Sequence, residues 1–177
     1  MRLNVRSILP IVALLVALVP AVAFGSSAAR VVLPADTLES AVLNELNVAR
    51  VENGLRPLRP DARLAAAAEQ HSVEMVGSGY FGHESSDGGV FWKRIKRFYG
   101  PRATRKTWIV GENLLWQTER VTAQVAVRAW LRSPEHRENL LEQSFRDVGI
   151  AAVRATSAPG VYGHRRVVVL TVDFGAR

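Results

Sequence analysis

Hydrophobic residues recur at helical spacing through the middle of the chain and form continuous apolar runs near its C-terminus. The first helical stripe comprises Leu38, Val42, Leu46 and Ala49. Asp36 is predicted to open this helix, with Glu39 completing a capping box, and Gly54 is predicted to stop it. Side chains at this spacing share one helix face, so the stripe is expected to pack against a core.

Two further stripes predict a second and a third helix. The second stripe comprises Leu64, Ala68, His71 and Met75. Asp61 is in position to cap that helix, and Gly77 and Gly79 are expected to end it. The third stripe comprises Phe91, Ile95 and Phe98. Between them, Asp87-Gly88-Gly89 has the composition of a turn.

The C-terminal part is predicted to mix helices with strands. A helix is expected from Thr122 to Arg132, and its predicted buried stripe is Val121, Val125 and Ala129. Strands are expected at Trp108–Val110, Val148–Arg154 and Val167–Phe174, with a hairpin loop at Pro159-Gly160. The last strand is apolar nearly throughout, as a strand covered on both faces would be. We therefore predict an α+β fold with a small sheet between helical layers.

The N-terminus has the pattern of an export signal. Arg2 and Arg6 form a basic start, residues 8–19 are mainly apolar, and Ala21-Val22-Ala23 has the small residues that signal peptidase accepts. A retained membrane anchor is the alternative, but the apolar run is shorter than the ~20 residues of a spanning helix and Pro20 interrupts it. The predicted organisation is a signal peptide over 1–23, a linker over 24–35 and one domain over 36–177. The mature protein is expected to be secreted, extracellular or in the cell envelope, without a transmembrane segment.

The composition of the chain limits the kinds of functional site that it can contain. The 177 residues suit a single domain after removal of the leader, and the formal charge is +7. The chain has no cysteine. This excludes disulfides, thiolate nucleophiles, cysteine-ligated zinc and iron–sulfur clusters.

A basic run occupies the centre of the chain, where no acidic residue occurs from Gly88 to Val110. Its cations are Lys93, Arg94, Lys96, Arg97, Arg102, Arg105 and Lys106. Such runs are usually solvated helix faces, but the absence of counter-charges favours contact with polyanions. We expect anionic envelope polymers or lipids as partners. Nucleic acid is disfavoured because the sequence has no recognisable nucleic-acid module and the protein is expected to be exported.

His83, Glu112 and His136 are the ligand types of an open zinc site. They are far apart in sequence, so spacing alone does not show that they converge. Pro134 makes Ser133 the predicted N-cap of a helix, and this places His136 in the first turn, where the helix dipole favours a neutral imidazole. The alternative is a histidine bonded to backbone at a helix start. A nucleophile–base pair of Ser133 and His136 is disfavoured because no third triad member is evident.

The remaining histidines have simpler explanations. His71 lies on the apolar face of the second helix, so we expect it in the core. His164 follows Gly163 in a loop and is expected to be exposed.

The ordered motifs of the chain resemble those of the CAP superfamily, which includes cysteine-rich secretory, antigen 5 and pathogenesis-related proteins. The landmarks are Leu46-Asn47-x-x-Arg50, Gly54-Leu55-x-Pro57-Leu58, Ala68-x-x-His71-Ser72-x-x-Met75, Tyr80-Phe81-x-His83, Asp87-Gly88, Gly111-Glu112-Asn113-Leu114, Trp130-Leu131-x-Ser133-Pro134-x-His136-Arg137-x-Asn139-Leu140-Leu141, Val148-Gly149-Ile150 and Asp173-Phe174-Gly175. They extend from Leu38 to Gly175 and look most similar to the bacterial secreted branch.

The resemblance implies an α-β-α sandwich with a small, mainly antiparallel sheet. It also implies a central cleft lined by two histidines and two acidic residues, which in some relatives binds a divalent metal such as zinc. By motif, His83 and His136 match the histidines and Glu112 matches the first acid. Ser133 occupies the position of the second acid, so a three-residue site is expected to bind metal more weakly, or not at all.

Three functions are compatible with these features. The first is a non-catalytic extracellular binding module whose cleft holds a divalent metal and a ligand, such as the lipids or sterols associated with relatives. The second is a metal-dependent hydrolase, in which His83 and His136 hold the metal and Glu112 is a ligand or a base. The third is a cell-surface adhesion domain that uses the basic run. We favour the first, without catalysis.

Overall fold

A central sheet separates two layers of helices in the computed structural model. The structure describes residues 30–31, 37–103, 107–118 and 121–177. The predicted signal peptide lies outside these residues, as does most of the predicted linker. Within that linker, Arg30 and Val31 form a short strand that the sequence did not indicate.

The helices are α1 (Leu38–Glu52), α2 (Ala62–Ser78), α3 (Phe91–Phe98), α4 (Ala123–Arg132) and α5 (Pro134–Leu141). The strands are β1 (Arg30–Val31), β2 (Arg59–Pro60), β3 (Ile109–Gln117), β4 (Asp147–Ala158) and β5 (Arg165–Ala176). The sheet order is β1-β4-β5-β3, and its long pairs are antiparallel, whereas the short β2 pairs parallel with β4. The α+β prediction is confirmed.

Strand β5 shows why the sheet needs a helical layer on each face. Its side chains alternate between the faces because the period of a strand is two residues. Val168, Leu170, Val172 and Phe174 belong to the core cluster that also contains residues of α1, α4 and α5. Val167 and Val169 pack on the opposite face with Met75 and Val76 of α2. Thr171 also faces α2, where its hydroxyl lies 2.7 Å from Ser72 Oγ.

Gly149 allows α2 to lie unusually close to the sheet. A Cβ atom on this residue would be 2.0 Å from the backbone nitrogen of Ala65 and 2.0 Å from the carbonyl carbon of Leu64. Glycine is therefore the residue that lets the start of α2 contact β4. Because α2 continues to His71 and beyond, this contact also helps to place the elements that surround the cleft described below.

Several local predictions agree with the structure. Asp61 caps α2 by accepting a hydrogen bond from the backbone N–H of Arg63. The helix ends at Gly79, which adopts a left-handed conformation with φ of 73°. Gly54 likewise follows α1 with φ of 72°. His71 is fully buried, as expected, and His164 is exposed.

The capping box at the start of α1 stays a prediction, because Asp36 lies outside the described residues. Glu39 accepts a hydrogen bond from the backbone N–H of Ala152 in β4. Two other local predictions were wrong. Helix α2 continues through Gly77 to Ser78. In α4, Val125 and Ala129 are exposed, although Val121 is buried as predicted. The observed buried stripe of α4 is Ala123, Ala126, Val127 and Trp130.

Among the residues that the structure describes, no helix is long and apolar enough to cross a membrane.

Candidate functional site

The three residues proposed as metal ligands line one open cleft. His83 precedes α3, Glu112 lies in β3 and His136 lies in α5. They share a cavity of about 380 Å³. The other lining residues are Glu84, Phe91, Val110, Gly111, Glu135 and Asn139. The fold therefore brings together side chains that the sequence separates widely.

Glu112 connects the cleft to a buried cation. Its Oε1 lies 2.8 Å from Nδ1 of His83, and its Oε2 accepts a hydrogen bond from Nη2 of Arg94. Glu112 is 3% exposed and Arg94 is 1% exposed, so water screens this ion pair poorly. The hydrogen bond to the Glu112 carboxylate raises the pKa of His83. Glu112 therefore orients the His83 ring and favours its charged form.

Arg94 was included in the predicted polyanion-contact run, and this prediction was wrong. Its guanidinium points into the protein, where Nη1 also donates to the backbone carbonyl of His83 at 3.3 Å. A charge with such low exposure cannot meet an external polymer. Its position in α3 explains the inward direction, because it lies on the same helix face as the buried Ile95.

The loop that carries His83 is held by two side chains of α2. The Nε2–H of His71 donates to the carbonyl of Gly82, with a distance of 2.9 Å. Burial lowers the pKa of His71, which keeps the ring neutral. Further along the loop, Glu74 accepts a hydrogen bond from the backbone N–H of Ser86 at 2.9 Å. These contacts fix the loop on both sides of His83.

His136 is oriented by the serine that begins its own helix. Ser133 is the N-cap residue of α5 and Pro134 follows it, as predicted. The Ser133 hydroxyl makes no capping hydrogen bond to the helix backbone and instead lies 2.9 Å from Nδ1 of His136. Burial lowers the pKa of His136, and the nearby His83 lowers it further. The neutral imidazole expected from the helix dipole is thus supported by these two causes.

Asparagine side chains fasten α5 to β3 and set the spacing of the cleft. Asn113 donates through Nδ2 to the backbone carbonyl of His136 at 2.9 Å. Asn139 donates through Nδ2 to the carbonyl of Glu112 at 3.0 Å and to Oδ1 of Asn113 at 3.0 Å. The helix that carries His136 is therefore tied to the strand that carries Glu112.

The cleft does not offer a metal ion all three of the predicted ligands. Within the described ranges, no three His, Cys, Asp or Glu side chains form a group that could hold a metal ion. Both Glu112 oxygens already accept hydrogen bonds, from His83 and from Arg94. The Nδ1 atoms of His83 and His136 are engaged as well, which leaves the two Nε2 atoms as available ligands. Two nitrogens are fewer than the three or four protein ligands of most zinc sites.

A second buried carboxyl lies beneath the cleft, and the sequence reasoning missed it. Asp173 of β5 is directly opposite Glu112 of β3 in the sheet register and is fully buried. Its two carboxyl oxygens have no hydrogen-bond partner among the residues that the structure describes. Burial raises the pKa of Asp173 well above its usual range, and the neighbouring Glu112 charge adds to this. The sequence did contain a signal for this buried carboxyl, because Asp173 is the one charged residue in the apolar run from Val167 to Phe174.

The basic run separates into exposed, buried and undescribed residues. Lys93, Lys96, Arg97 and Arg102 are exposed, whereas Arg94 is buried as described above. Arg105 and Lys106 lie outside the described residues. The exposed members of α3 share its outer face, whereas the cleft residue Phe91 lies on the opposite half of the helix.

Comparison with known proteins identifies the family. The model of the cysteine-rich secretory protein family, CAP, matches residues 43–174. The uncharacterized protein YkwD of Bacillus subtilis is 32% identical over 119 residues, covering 67% of this chain and 44% of that protein. The uncharacterized membrane protein YlbC of the same organism is 31% identical over 118 residues, covering 67% of this chain and 32% of that protein. The chain thus spans less than half the length of either relative.

Solved structures share the fold. An outer surface protein from Borrelia burgdorferi superposes with a TM-score of 0.69 at 19% identity, covering 84% of this chain and 98% of that one. An extracellular protein containing a SCP domain from Bacillus anthracis gives a TM-score of 0.59 at 26% identity, covering 78% of this chain and 40% of that one. The family model, the order of motifs and the helix–sheet–helix layers agree, and the chain belongs to the CAP family of cysteine-rich secretory proteins.

Proposed function

We propose that this protein is a non-catalytic, extracellular binding module whose cleft holds a divalent cation through Nε2 of His83 and Nε2 of His136. The cation would present open coordination positions to a ligand that enters the cleft. Glu112 acts in this proposal as the residue that orients His83. This orienting role replaces the role of third metal ligand that the sequence led us to expect for Glu112.

The observation that carries the proposal is that each of the two histidines has its Nδ1 atom engaged by a protein side chain, which leaves its Nε2 atom available. Each ring has its Nδ1 bonded to a side chain of the protein, Glu112 for His83 and Ser133 for His136. When Nδ1 carries the proton, Nε2 carries the lone pair that a metal requires. Ligating histidines commonly use their other nitrogen in this way, which fixes both tautomer and ring direction.

The surroundings of Glu112 favour binding over hydrolysis. A general base must accept a proton from water or substrate, and its oxygens must be accessible to that partner. Glu112 is 3% exposed, and its carboxylate is already paired with Arg94 and His83. The hydrolase alternative gives Glu112 a role for which this environment is poor.

Secretion is part of the proposal. The sequence predicts a cleaved signal peptide over 1–23. A structurally similar protein from Bacillus anthracis is described as extracellular, and one from Borrelia burgdorferi as an outer surface protein. Both descriptions agree with action outside the cytoplasm.

Calorimetric zinc titration tests the cleft. Wild-type protein is expected to bind one zinc ion, and His83→Ala and His136→Ala should each abolish the heat signal. The matched control is His164→Asn, because His164 is exposed, is absent from the cleft lining, and has φ of 57°, which asparagine tolerates. Equal zinc affinity in the wild type and both alanine variants would contradict the proposal.

The exposed cations Lys93, Lys96, Arg97 and Arg102 are proposed to contact an anionic partner. Arg94 is removed from this set because it is buried with Glu112. Within the described part of the chain, no carboxylate forms an ion pair with any of the four. Their charge is thus available to a partner.

A further inference from the structure

We propose that the outer face of α3 docks this protein onto an anionic phospholipid bilayer. The inference rests on the extracellular location and the anion-binding role proposed above, and it names the partner of that surface. The docking face consists of Val90, Trp92, Lys93, Lys96 and Arg97.

Helical geometry places four of these side chains on one half of α3. Successive residues are separated by 100°, so Trp92, Lys96, Lys93 and Arg97 fall within an arc of about 140°. The opposite half contains the buried Arg94 and Ile95, with Phe91 and Phe98 packed partly against the core. The helix is therefore sharply amphipathic, and its charged half faces outward.

The cations on this face are not neutralised by the described protein. Lys93 lies 5.8 Å from the ring centroid of Trp92, a contact that leaves its charge in place. Clustered lysine and arginine residues are attracted to anionic lipid headgroups over roughly one Debye length, about 8 Å at physiological ionic strength. A single helical turn can thus bring all three cations within reach of a headgroup layer.

The apolar residues of the face favour a bilayer over a dissolved polyanion. Val90 is 36% exposed and Trp92 is 40% exposed, at the start of the helix beside the cations. Tryptophan partitions to the membrane interface, where its ring enters the apolar boundary and its N–H stays hydrated. Interfacial helices combine cations with exposed aromatic and apolar side chains, which is the composition of this face.

Vesicle co-sedimentation tests the proposal, with protein recovered from the culture medium. Vesicles of phosphatidylglycerol mixed with phosphatidylcholine should bind the protein, and pure phosphatidylcholine vesicles should not. Neutralising Lys93, Lys96 and Arg97 with glutamine should weaken binding by about fivefold for each cation removed. Trp92→Ala, which keeps all charges, should weaken it as well.

The matched control changes three exposed arginines elsewhere, Arg128, Arg132 and Arg137, to glutamine. It lowers net charge equally and should leave vesicle binding intact. Equal binding to both vesicle types, or equal loss in the control, would overturn the proposal. So would full binding by Trp92→Ala together with complete displacement by soluble polyphosphate, because a polymer would then be the partner.

The same variants separate this inference from the zinc proposal. The glutamine variants of α3 should keep the zinc affinity of the wild type. A wild-type protein that binds anionic vesicles but not zinc would refute the cleft proposal and support the docking surface. Zinc binding without any vesicle binding would refute the docking surface alone.

Discussion

Replacing Asp173 with asparagine tests the charge balance beneath the cleft. Asp173 and Glu112 face each other across adjacent strands, and one guanidinium, that of Arg94, serves the pair. Two carboxylates with one cation in a buried layer leave an uncompensated negative charge. Burial and the Glu112 charge raise the pKa of Asp173 well above its usual range, so the folded protein keeps this proton to a higher pH than the unfolded chain does. Asparagine has nearly the same shape and no proton to lose.

The sign of the pH effect follows from this shift. Below pH ~4, Asp173 is protonated in folded and unfolded chains alike. Between that pH and the raised pKa of the folded protein, unfolding releases one proton, so wild-type stability falls as pH rises. The loss approaches about 1.4 kcal/mol for each pH unit that lies well between the two pKa values. Asp173→Asn lacks this contribution, so its stability relative to the wild type should rise with pH across that window.

The assay is urea unfolding followed by tryptophan fluorescence, at half-unit pH steps from about 4 to 7. The two proteins share their other titrating groups, so the difference between their free energies of unfolding isolates Asp173. That difference should widen as pH rises across this range. Parallel curves over the whole range would show that Asp173 is ionised in the folded protein and would refute the reasoning.

Three other predictions concern the same region. Glu112→Gln should destabilise the protein by about 3–5 kcal/mol in urea unfolding, because it leaves the buried charge of Arg94 unpaired; an unchanged midpoint would contradict this. Gly149→Ala should cost about 3 kcal/mol or more, because the new Cβ would lie 2.0 Å from the Leu64 carbonyl carbon; wild-type stability would show that α2 can shift freely. As pH is lowered, the zinc affinity measured by calorimetry should already begin to fall at a pH above ~6.5, the pKa of an ordinary histidine, because the pKa of His83 is raised. A zinc affinity that does not change down to pH ~6 would contradict this.

Local chemistry made much of the fold predictable. The Asp61 cap, the Ser133-Pro134 helix start and the left-handed Gly54 each depend on residues within one turn of the chain. The buried stripe of α2 could also be predicted, because this helix has one clear apolar face. The resemblance of motifs supplied the layer order that these local signals could not.

Packing decided what local chemistry left open. The buried stripe of α4 consists of Ala123, Ala126, Val127 and Trp130, and it competes with the predicted stripe of Val121, Val125 and Ala129. The observed stripe is buried because Trp130 fills the core and its indole N–H donates to the carbonyl of Leu114 at 3.0 Å. The Leu114 carbonyl belongs to β3 and cannot be inferred from the sequence of α4. Which stripe of α4 is buried therefore depends on tertiary structure.

Motif order pointed to His83, Glu112 and His136, which line one cleft in the structure, but it did not indicate their charge partners. The pairing of Arg94 with Glu112 spans 18 positions and required α3 to lie across β3. A run of cations does not indicate which member faces inward, and for this reason Arg94 was assigned to the surface. The hydroxyl of Ser133 was assigned to capping, although its spacing also allowed the contact with His136.

The most direct test of the cleft is a zinc titration followed by long-range proton–nitrogen NMR of the histidine rings. On zinc binding, the Nε2 resonances of His83 and His136 should shift together, while both Nδ1 atoms keep their protons. The rings of His71 and His164 should not respond, since one is buried in the core and the other is exposed and absent from the cleft lining. No shift at either Nε2 atom, or a shift at Nδ1 of His83 that breaks its bond to Glu112, would contradict the account.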